Sequence, residues 1–247
     1  NFGNPENPKV MGEFAECLIG LKEACEFLNF PVVSGNVSFY NGTNKKNIDP
    51  TPVIGGVGLI TDTKNKINHF LKKEGNIILQ VGKTFGHLYQ SVFLKEIYSI
   101  TEGPPPDVNL SNEKNNGETV LNLINKNLIA STHDISSGGL ILALVEMCLN
   151  TEYGLKIDKP QRLSNLMEFY FGEDQGRYLL EVDPENLQIV KKILNENNIF
   201  SESIAVVQKD YFEVIGEFKT DINDLFKANN KWYNNYWWHY QLKKLKN

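Results

Sequence analysis

The sequence has little of what marks several common protein classes. Cysteine is scarce: Cys17, Cys25 and Cys148 are the three in 247 residues. An odd number at these spacings fits no zinc pattern, and Cys17 and Cys25 fall about two helical turns apart, too far for a disulfide. All three read as small core residues of a reducing compartment, the cytoplasm. No apolar run reaches the length needed to span a membrane, and the opening Asn1-Phe2-Gly3-Asn4-Pro5 is neither a signal nor a transit peptide. It also lacks an initiator Met, as expected of a piece of something longer. Positive charge is not in excess: 25 Lys and Arg against 30 Asp and Glu give a formal net charge of -5. That argues against nucleic acid or an acidic membrane as the main partner. It leaves room for phosphorylated ligands, which backbone N–H groups and Mg²⁺ can hold without a trace in net charge. There is no P-loop, no dinucleotide fingerprint, no repeat at solenoid spacing and no Ser–His–Asp set that sequence alone can assemble.

What is present is the balance of a globular protein, 41% hydrophobic and 22% charged, long enough for one large domain or two modest ones. Val10, Met11, Phe14, Leu18, Leu21, Cys25 and Leu28 recur at three- and four-residue steps, which predicts an amphipathic helix over 8–29 capped by Asn7. Apolar runs at 30–33 and 52–60 read as strands, the second buried and rich in glycine. A polar, lysine-bearing stretch over 62–74 places a boundary, dividing the chain into 1–68 and 72–247. Beyond it strands alternate with helices: strands at 76–81, 128–132, 177–182, 204–207 and 212–215, helices at 85–98, 118–127, 139–149 and 184–197. The class is α/β or α+β. The aromatic, Asn-rich end, from Trp232 to Tyr240, predicts a terminal helix docked through its aromatics.

Three segments can carry chemistry. In Ser34-Gly35-Asn36-Val37-Ser38-Phe39-Tyr40-Asn41, Gly35 allows close approach to a ligand, Asn36 offers a hard oxygen suited to Mg²⁺, and Ser38 offers a donor and an acceptor in one group. The same residues also suit a plain turn. In Ser131-Thr132-His133-Asp134-Ile135-Ser136-Ser137-Gly138-Gly139-Leu140 a strand ends, two glycines follow and a helix begins. Asp134, Gly138 and Gly139 there form a possible phosphate-binding junction at a helix start, unless Asp134 or Ser136 merely caps the helix. Phe171-Gly172-Glu173-Asp174-Gln175-Gly176-Arg177, leading into a buried strand, reads as architecture.

Taken in order, these segments resemble the second half of the phosphoribosylformylglycinamidine synthases of the small bacterial type. The opening Asn1-Phe2-Gly3-Asn4-Pro5-Glu6-Asn7-Pro8 and the run Pro50-Thr51-Pro52-Val53-Ile54-Gly55-Gly56-Val57-Gly58 belong to the same match. The resemblance implies part of a PurM-like N-terminal α/β subdomain followed by a PurM-like C-terminal one, as in aminoimidazole ribonucleotide synthetase. It implies an ATP-dependent ligase of purine biosynthesis, which phosphorylates the amide oxygen of formylglycinamide ribonucleotide (FGAR) and lets ammonia displace the phosphate. A separate glutaminase subunit supplies the ammonia, alongside a small accessory subunit. By matching position, Gly35 would contact ATP, Asn36 would help hold Mg²⁺ and Ser38 would contact the ribonucleotide. The family's ATP-contacting Asp falls two residues before Asn1, and its catalytic His lies in the first half. The resemblance therefore places no catalytic residue in this chain, expects the chain alone to be inactive, and leaves room for an association of two copies in place of the missing half. A non-catalytic module that holds nucleotide for assembly, or another ATP-using superfamily member, is the alternative. Where many members carry Gly-Gly-Ser-Glu, this chain has Phe85-Gly86-His87-Leu88-Tyr89-Gln90-Ser91.

Overall fold

A computed structural model describes residues 1–44, 46–60, 62–158 and 165–244, leaving the side chains of 234, 235 and 237–244 outside the description. The chain divides into two compact units, Asn1–Thr61 and Asp62–Asn247.

The first unit is built on α1 (Pro8–Leu28). Asn7 caps it by accepting from the Lys9 N–H, proline occupies its first turn, and Asn29 closes it in the left-handed conformation. The helix and its Asn7 cap are as expected, and Asn29, expected as its last residue, is its C-cap. Phe2 is buried and meets Phe14 edge-on at 5.1 Å, and Phe14 meets Phe39 at 5.0 Å. Two short strands, β1 (Gly42–Thr43) and β2 (Lys46–Asn47), pair antiparallel. The expected strands at 30–33 and 52–60 do not form. Those residues join no strand ladder, and Val33, Val57 and Leu59 stand about 90% exposed. The physical reason is that a strand needs a ladder partner for its N–H and C=O groups, and the described residues of this unit offer none. Cys17 and Cys25 are half-buried on α1 instead of in a core, because Val10 alone of that helix is buried.

The second unit is a seven-stranded sheet covered by helices on both faces. Its elements are β3 (Ile77–Val81), α2 (Val92–Tyr98), α3 (Leu110–Asn125), β4 (Ser131–Asp134), α4 (Gly139–Cys148), β5 (Tyr153–Ile157), α5 (Leu166–Phe171), β6 (Tyr178–Val182), α6 (Leu187–Glu196), β7 (Ser201–Lys209), β8 (Tyr211–Val214), β9 (Phe218–Asp221) and α7 (Ile222–Lys244). The strand order is β4-β6-β3-β7-β5-β8-β9, antiparallel except for the parallel pair β5–β8. Alternation along the strands divides the core. Ile78, Leu155, Ile157, Leu179 and Val207 pack under α4 and α5, while Leu79, Val81, Leu180 and Val182 pack under α3 and α6. Helix α4 is buried along Leu140, Leu144 and Met147. The Cys148 thiol that follows them is pushed up by burial, the behaviour of an inert core sulfur.

The mixed α/β class is as expected, with several corrections of extent. Residues 83–91 are loop, so the helix expected from 85 begins only at Val92, where Ser91 caps it by accepting from Leu94 N–H. Gly86 and Gln90 both have positive φ, which breaks the helical path. Helix α3 starts eight residues earlier than expected, capped by Asn109. Its first turns are polar and carry no periodic signal. Strands β5 and β9 and helix α5 escape the sequence reading. In β5, Gly154 lies so close to the Tyr211 backbone that a side chain would collide. The terminal helix is present; Trp232, Tyr233 and Tyr236 of its aromatic run are exposed, and the side chains from Trp237 to Tyr240 lie outside the described residues. Ile222 is buried and Leu225 packs on the core, yet Trp232 and Tyr236 are exposed and stack on each other at 5.8 Å. The sheet's core ends where the first turn of α7 leaves it.

One buried carboxylate fastens the start of the second unit. Glu181 on β6 has no exposure; its oxygens accept from Lys72 N–H and Lys73 N–H, from Asn76 Nδ2 at 2.8 Å and from Ser131 Oγ at 2.7 Å. A carboxylate can leave water when this many donors replace it. We expect Glu181→Leu, which strands those donors, to cost about 3–5 kcal/mol of stability in a denaturant titration. Glu181→Gln, which keeps one acceptor, should cost less. Nearby, the His69 ring packs 4.2 Å from Phe70 and 5.0 Å from His133. Burial, and then His133, lower its pKa from 6.5. A lowered histidine favours the fold while neutral. That contribution is full above pH 6.5 and fades as pH falls through the lower folded value. The urea midpoint should therefore fall on acidification below pH 6.5, and His69→Gln should flatten that part of the curve.

Candidate functional site

In the first unit, Ser34, Gly35, Asn36 and Val37 lie outside any helix or strand and are exposed. Space beside Gly35 is open, with no atom within 4 Å of where a Cβ would stand. Asn36 has no bonding partner among the described residues, so its amide is free to meet a ligand. Ser38 differs: it is half-buried, and its hydroxyl and carbonyl both face the Asn41 carboxamide. The segment is anchored at that end because Phe2 N–H donates to Ser38 O at 2.9 Å and Tyr40 N–H donates to Gly3 O at 2.9 Å. The structure thus keeps Gly35, Asn36 and Ser38 on one segment, anchored at Ser38 and open at Gly35–Asn36. Asn41 belongs to the motif, yet its role was invisible in sequence, because what it holds is Phe2, 39 residues away.

The family resemblance implies Mg²⁺. Among the described residues no group of three or more His, Cys, Asp or Glu could hold a metal ion. Asn36 brings one oxygen, and Mg²⁺ demands a near-octahedral shell of them. These residues therefore do not make a complete Mg²⁺ site, and no step of the chemistry is routed through one.

In the second unit, Asp134 ends β4 with its side chain 65% exposed. His133 is held between two carboxylates: Nε2 lies 3.1 Å from Glu146 Oε2, and Nδ1 lies 3.4 Å from Asp134 Oδ1. The second approach is not a hydrogen bond, and Nδ1 has no hydrogen-bond partner among the described residues. Gly138 and Gly139 both have positive φ and begin α4. A side chain at Gly139 would meet the backbone of Tyr170, Phe171 and Gly172, which explains the glycine. The helix start already has an anion. Gly138 N–H donates to Glu173 Oε1 at 2.8 Å, and Gly139 N–H donates to Ser136 O. An external phosphate at Gly138 would have to displace the chain's own carboxylate.

That carboxylate belongs to the third segment, which is a clasp. Glu173 Oε1 also accepts from Val92 N–H at 2.7 Å. Asp174, 5% exposed, accepts from Phe85 N–H, Gly86 N–H and His87 N–H. Arg177, 1% exposed, donates through Nη2 to Gly172 O at 2.6 Å, through Nε to Asp174 O and through Nη1 to Thr84 Oγ1. Burial pulls its guanidinium down to about 10, against the opposing pull of Asp174 and Glu173. The segment binds the 84–92 loop and the Gly138 turn to β6. Sequence reasoning assigned it to architecture, and its bonds are architectural. Beside it lies a cleft of about 300 Å³ bordered by Glu113, Asp134, Ser136 and Tyr178. Burial, then Glu113 and Asp134, raise the Tyr178 phenol, so it stays neutral.

Comparison with known proteins follows the same division. Residues 73–217 match the family described as AIR synthase related protein, C-terminal domain, and residues 1–60 match AIR synthase related protein, N-terminal domain. Phosphoribosylformylglycinamidine synthase subunit PurL of Pelagibacter ubique is 50% identical over 236 residues, 96% of this chain and 32% of that protein. The subunit of the same name from Rhodopseudomonas palustris BisB5 is 42% identical over 236 residues, again 96% and 32%. The chain thus spans about a third of the length of the curated relatives it matches. Among solved structures, Thermotoga maritima PurL complexed with FGAR superposes with a TM-score of 0.58 at 16% identity, covering 66% of this chain and 30% of that one. The same protein complexed with ATP gives 0.54, also at 16% identity, covering 66% and 28%. At that identity the likeness speaks for the fold alone. The chain belongs to the AIR synthase related protein family, with a PurM-like N-terminal part and a PurM-like C-terminal domain, and within that family it is similar to the phosphoribosylformylglycinamidine synthase subunit PurL.

Proposed function

We propose that this chain serves as the second half of a PurL-type synthetase, the ATP-dependent ligase that converts FGAR and glutamine-derived ammonia to the amidine in purine biosynthesis. The observation that carries this is the 50% identity to a PurL subunit across 96% of the chain. Residues 1–68 are the partial N-terminal subdomain that faces nucleotide and substrate, and 72–247 are the C-terminal subdomain. Its partners are ATP and FGAR, the first half of the synthetase, a glutaminase subunit and a small accessory subunit. Gly35 lets its backbone approach ATP, and the open space beside it supports that role. Asn36, exposed and unpartnered among the described residues, gives one oxygen to a Mg²⁺ most of whose ligands belong to the first half of the synthetase. Ser38 offers its hydroxyl to the ribonucleotide.

One observation favours a second reading for the second unit. The helix start at Gly138 is already occupied by Glu173. This half's Asp134–Gly139 junction then serves assembly, and the ligand chemistry rests with the 34–41 segment.

The test is made in the complete synthetase. Asn36→Ala should lower turnover about tenfold or more, with the melting temperature unchanged, because loss of a ligand or its support costs about that much. Unchanged kinetics across a Mg²⁺ titration would return Asn36 to the role of a turn residue. The isolated chain offers a separate test. Val53, Ile54, Val57, Leu59 and Ile60 are each at least 60% exposed, an unpaired apolar stretch that seeks a partner. We expect light scattering to show a homodimer forming through residues 30–60 as concentration rises, with closed twofold pairing standing in for the absent half. A strict monomer at every concentration contradicts it.

A further inference from the structure

The Asn41 carboxamide makes three contacts in one place. Its Nδ2 donates to Phe2 O at 3.0 Å, to Ser38 O at 3.0 Å and to Ser38 Oγ at 3.1 Å. The backbone joins the same residues: Asn41 N–H donates to Phe2 O at 3.2 Å, and Phe2 N–H donates to Ser38 O at 2.9 Å. Tyr40, at φ +60, turns the chain so that Asn41 folds back over Ser38.

This network fixes which way round the amide lies. Reversed, it would press Oδ1 against two carbonyl oxygens at 3.0 Å. With Nδ2 toward Ser38, the serine hydroxyl lies within reach of both amide atoms. It accepts from Nδ2 at 3.1 Å, and it can also donate to Oδ1 at 3.4 Å. The donation is the longer and weaker of the two. A hydroxyl whose oxygen is engaged as acceptor still has its one proton to give. The Ser38 rotamer is thereby held against Asn41, and its proton, only weakly engaged by Oδ1, is available to a better-placed acceptor.

We infer that Asn41 is a positioning residue for Ser38: it sets that hydroxyl as a hydrogen-bond donor toward an acceptor oxygen of the ribonucleotide substrate. The inference rests on the proposed reading that Ser38 meets the substrate. Asn41 itself touches no substrate; it acts through Ser38, and through Phe2 it ties that geometry to the aromatic cluster of Phe2, Phe14 and Phe39.

The experiment is a double-mutant cycle in the complete synthetase, with steady-state KM for FGAR and kcat measured for the parent, Ser38→Ala, Asn41→Ala and the pair. Losing one oriented hydrogen bond should raise KM about three- to tenfold in Asn41→Ala, with kcat little changed. In the Ser38→Ala background the same change should add almost nothing, because the group it positions is gone. A purely structural role would raise KM equally in both backgrounds, and that result overturns the inference. So does a parental KM in Asn41→Ala when Ser38→Ala raises it. If Asn41→Ala does not fold, Asn41→Gln, which carries the same amide one methylene further out, must show the raised KM, and a parental KM there is equally fatal. An unchanged KM in Ser38→Ala overturns the substrate-contact reading first, a result the Asn41 variants cannot mimic.

Discussion

The second unit hangs on the turn from Gly172 to Arg177. A guanidinium without access to water is tolerable only when its N–H groups are met, and here two carbonyls and a hydroxyl meet them. Because those carbonyls belong to Gly172 and Asp174, holding Arg177 also fixes the turn that carries Glu173 and Asp174. Those two carboxylates then gather amides from elsewhere: 85–87 and Val92 on one side, Gly138 on the other. Removing Arg177 would thus release two loops as well as one ion pair. The Arg177–Asp174 charge contact itself, at 3.9 Å, is the weakest part of the arrangement. The neutral acceptors and the captured amides carry it.

Elements whose periodicity reflects their own burial were legible in the sequence. Helix α1 has both caps written in asparagine, and β3, β6 and α4 are near-continuous apolar runs because they lie in the middle of the sheet or against it. What failed depended on partners far along the chain. Phe85–Ser91 looked helical, but Asp174, nearly ninety residues on, claims three of its amides. Residues 52–60 looked like a buried strand, which requires neighbours the described first unit does not supply. Tyr153–Ile157 carried only a weak signal, and its place depends on β7 and β8. The site divides the same way. Gly35, Asn36 and Ser38 were identifiable as residue types suited to a phosphorylated ligand, whereas the Asn41 clamp needed Phe2 brought beside it.

The two units treat polar backbone differently, and that contrast bears on function. In the second unit three places where N–H groups converge are each met by a carboxylate of the chain: Lys72 and Lys73 by Glu181, 85–87 by Asp174, and Val92 with Gly138 by Glu173. Such positions are where an anionic ligand would bind if nothing else did. Filling them from within stabilises the fold and removes them from ligand chemistry. In the first unit the Gly35–Asn36 stretch carries no internal carboxylate and no hydrogen bond among the described residues, while Ser38 beside it is clamped. A segment open at one end and held at the other suits recognition, since the clamped end supplies orientation and the open end supplies contact. The contrast within this chain follows: the sheet domain meets its converging amides with its own carboxylates, whereas Gly35–Asn36 of the N-terminal unit has no such internal partner among the described residues.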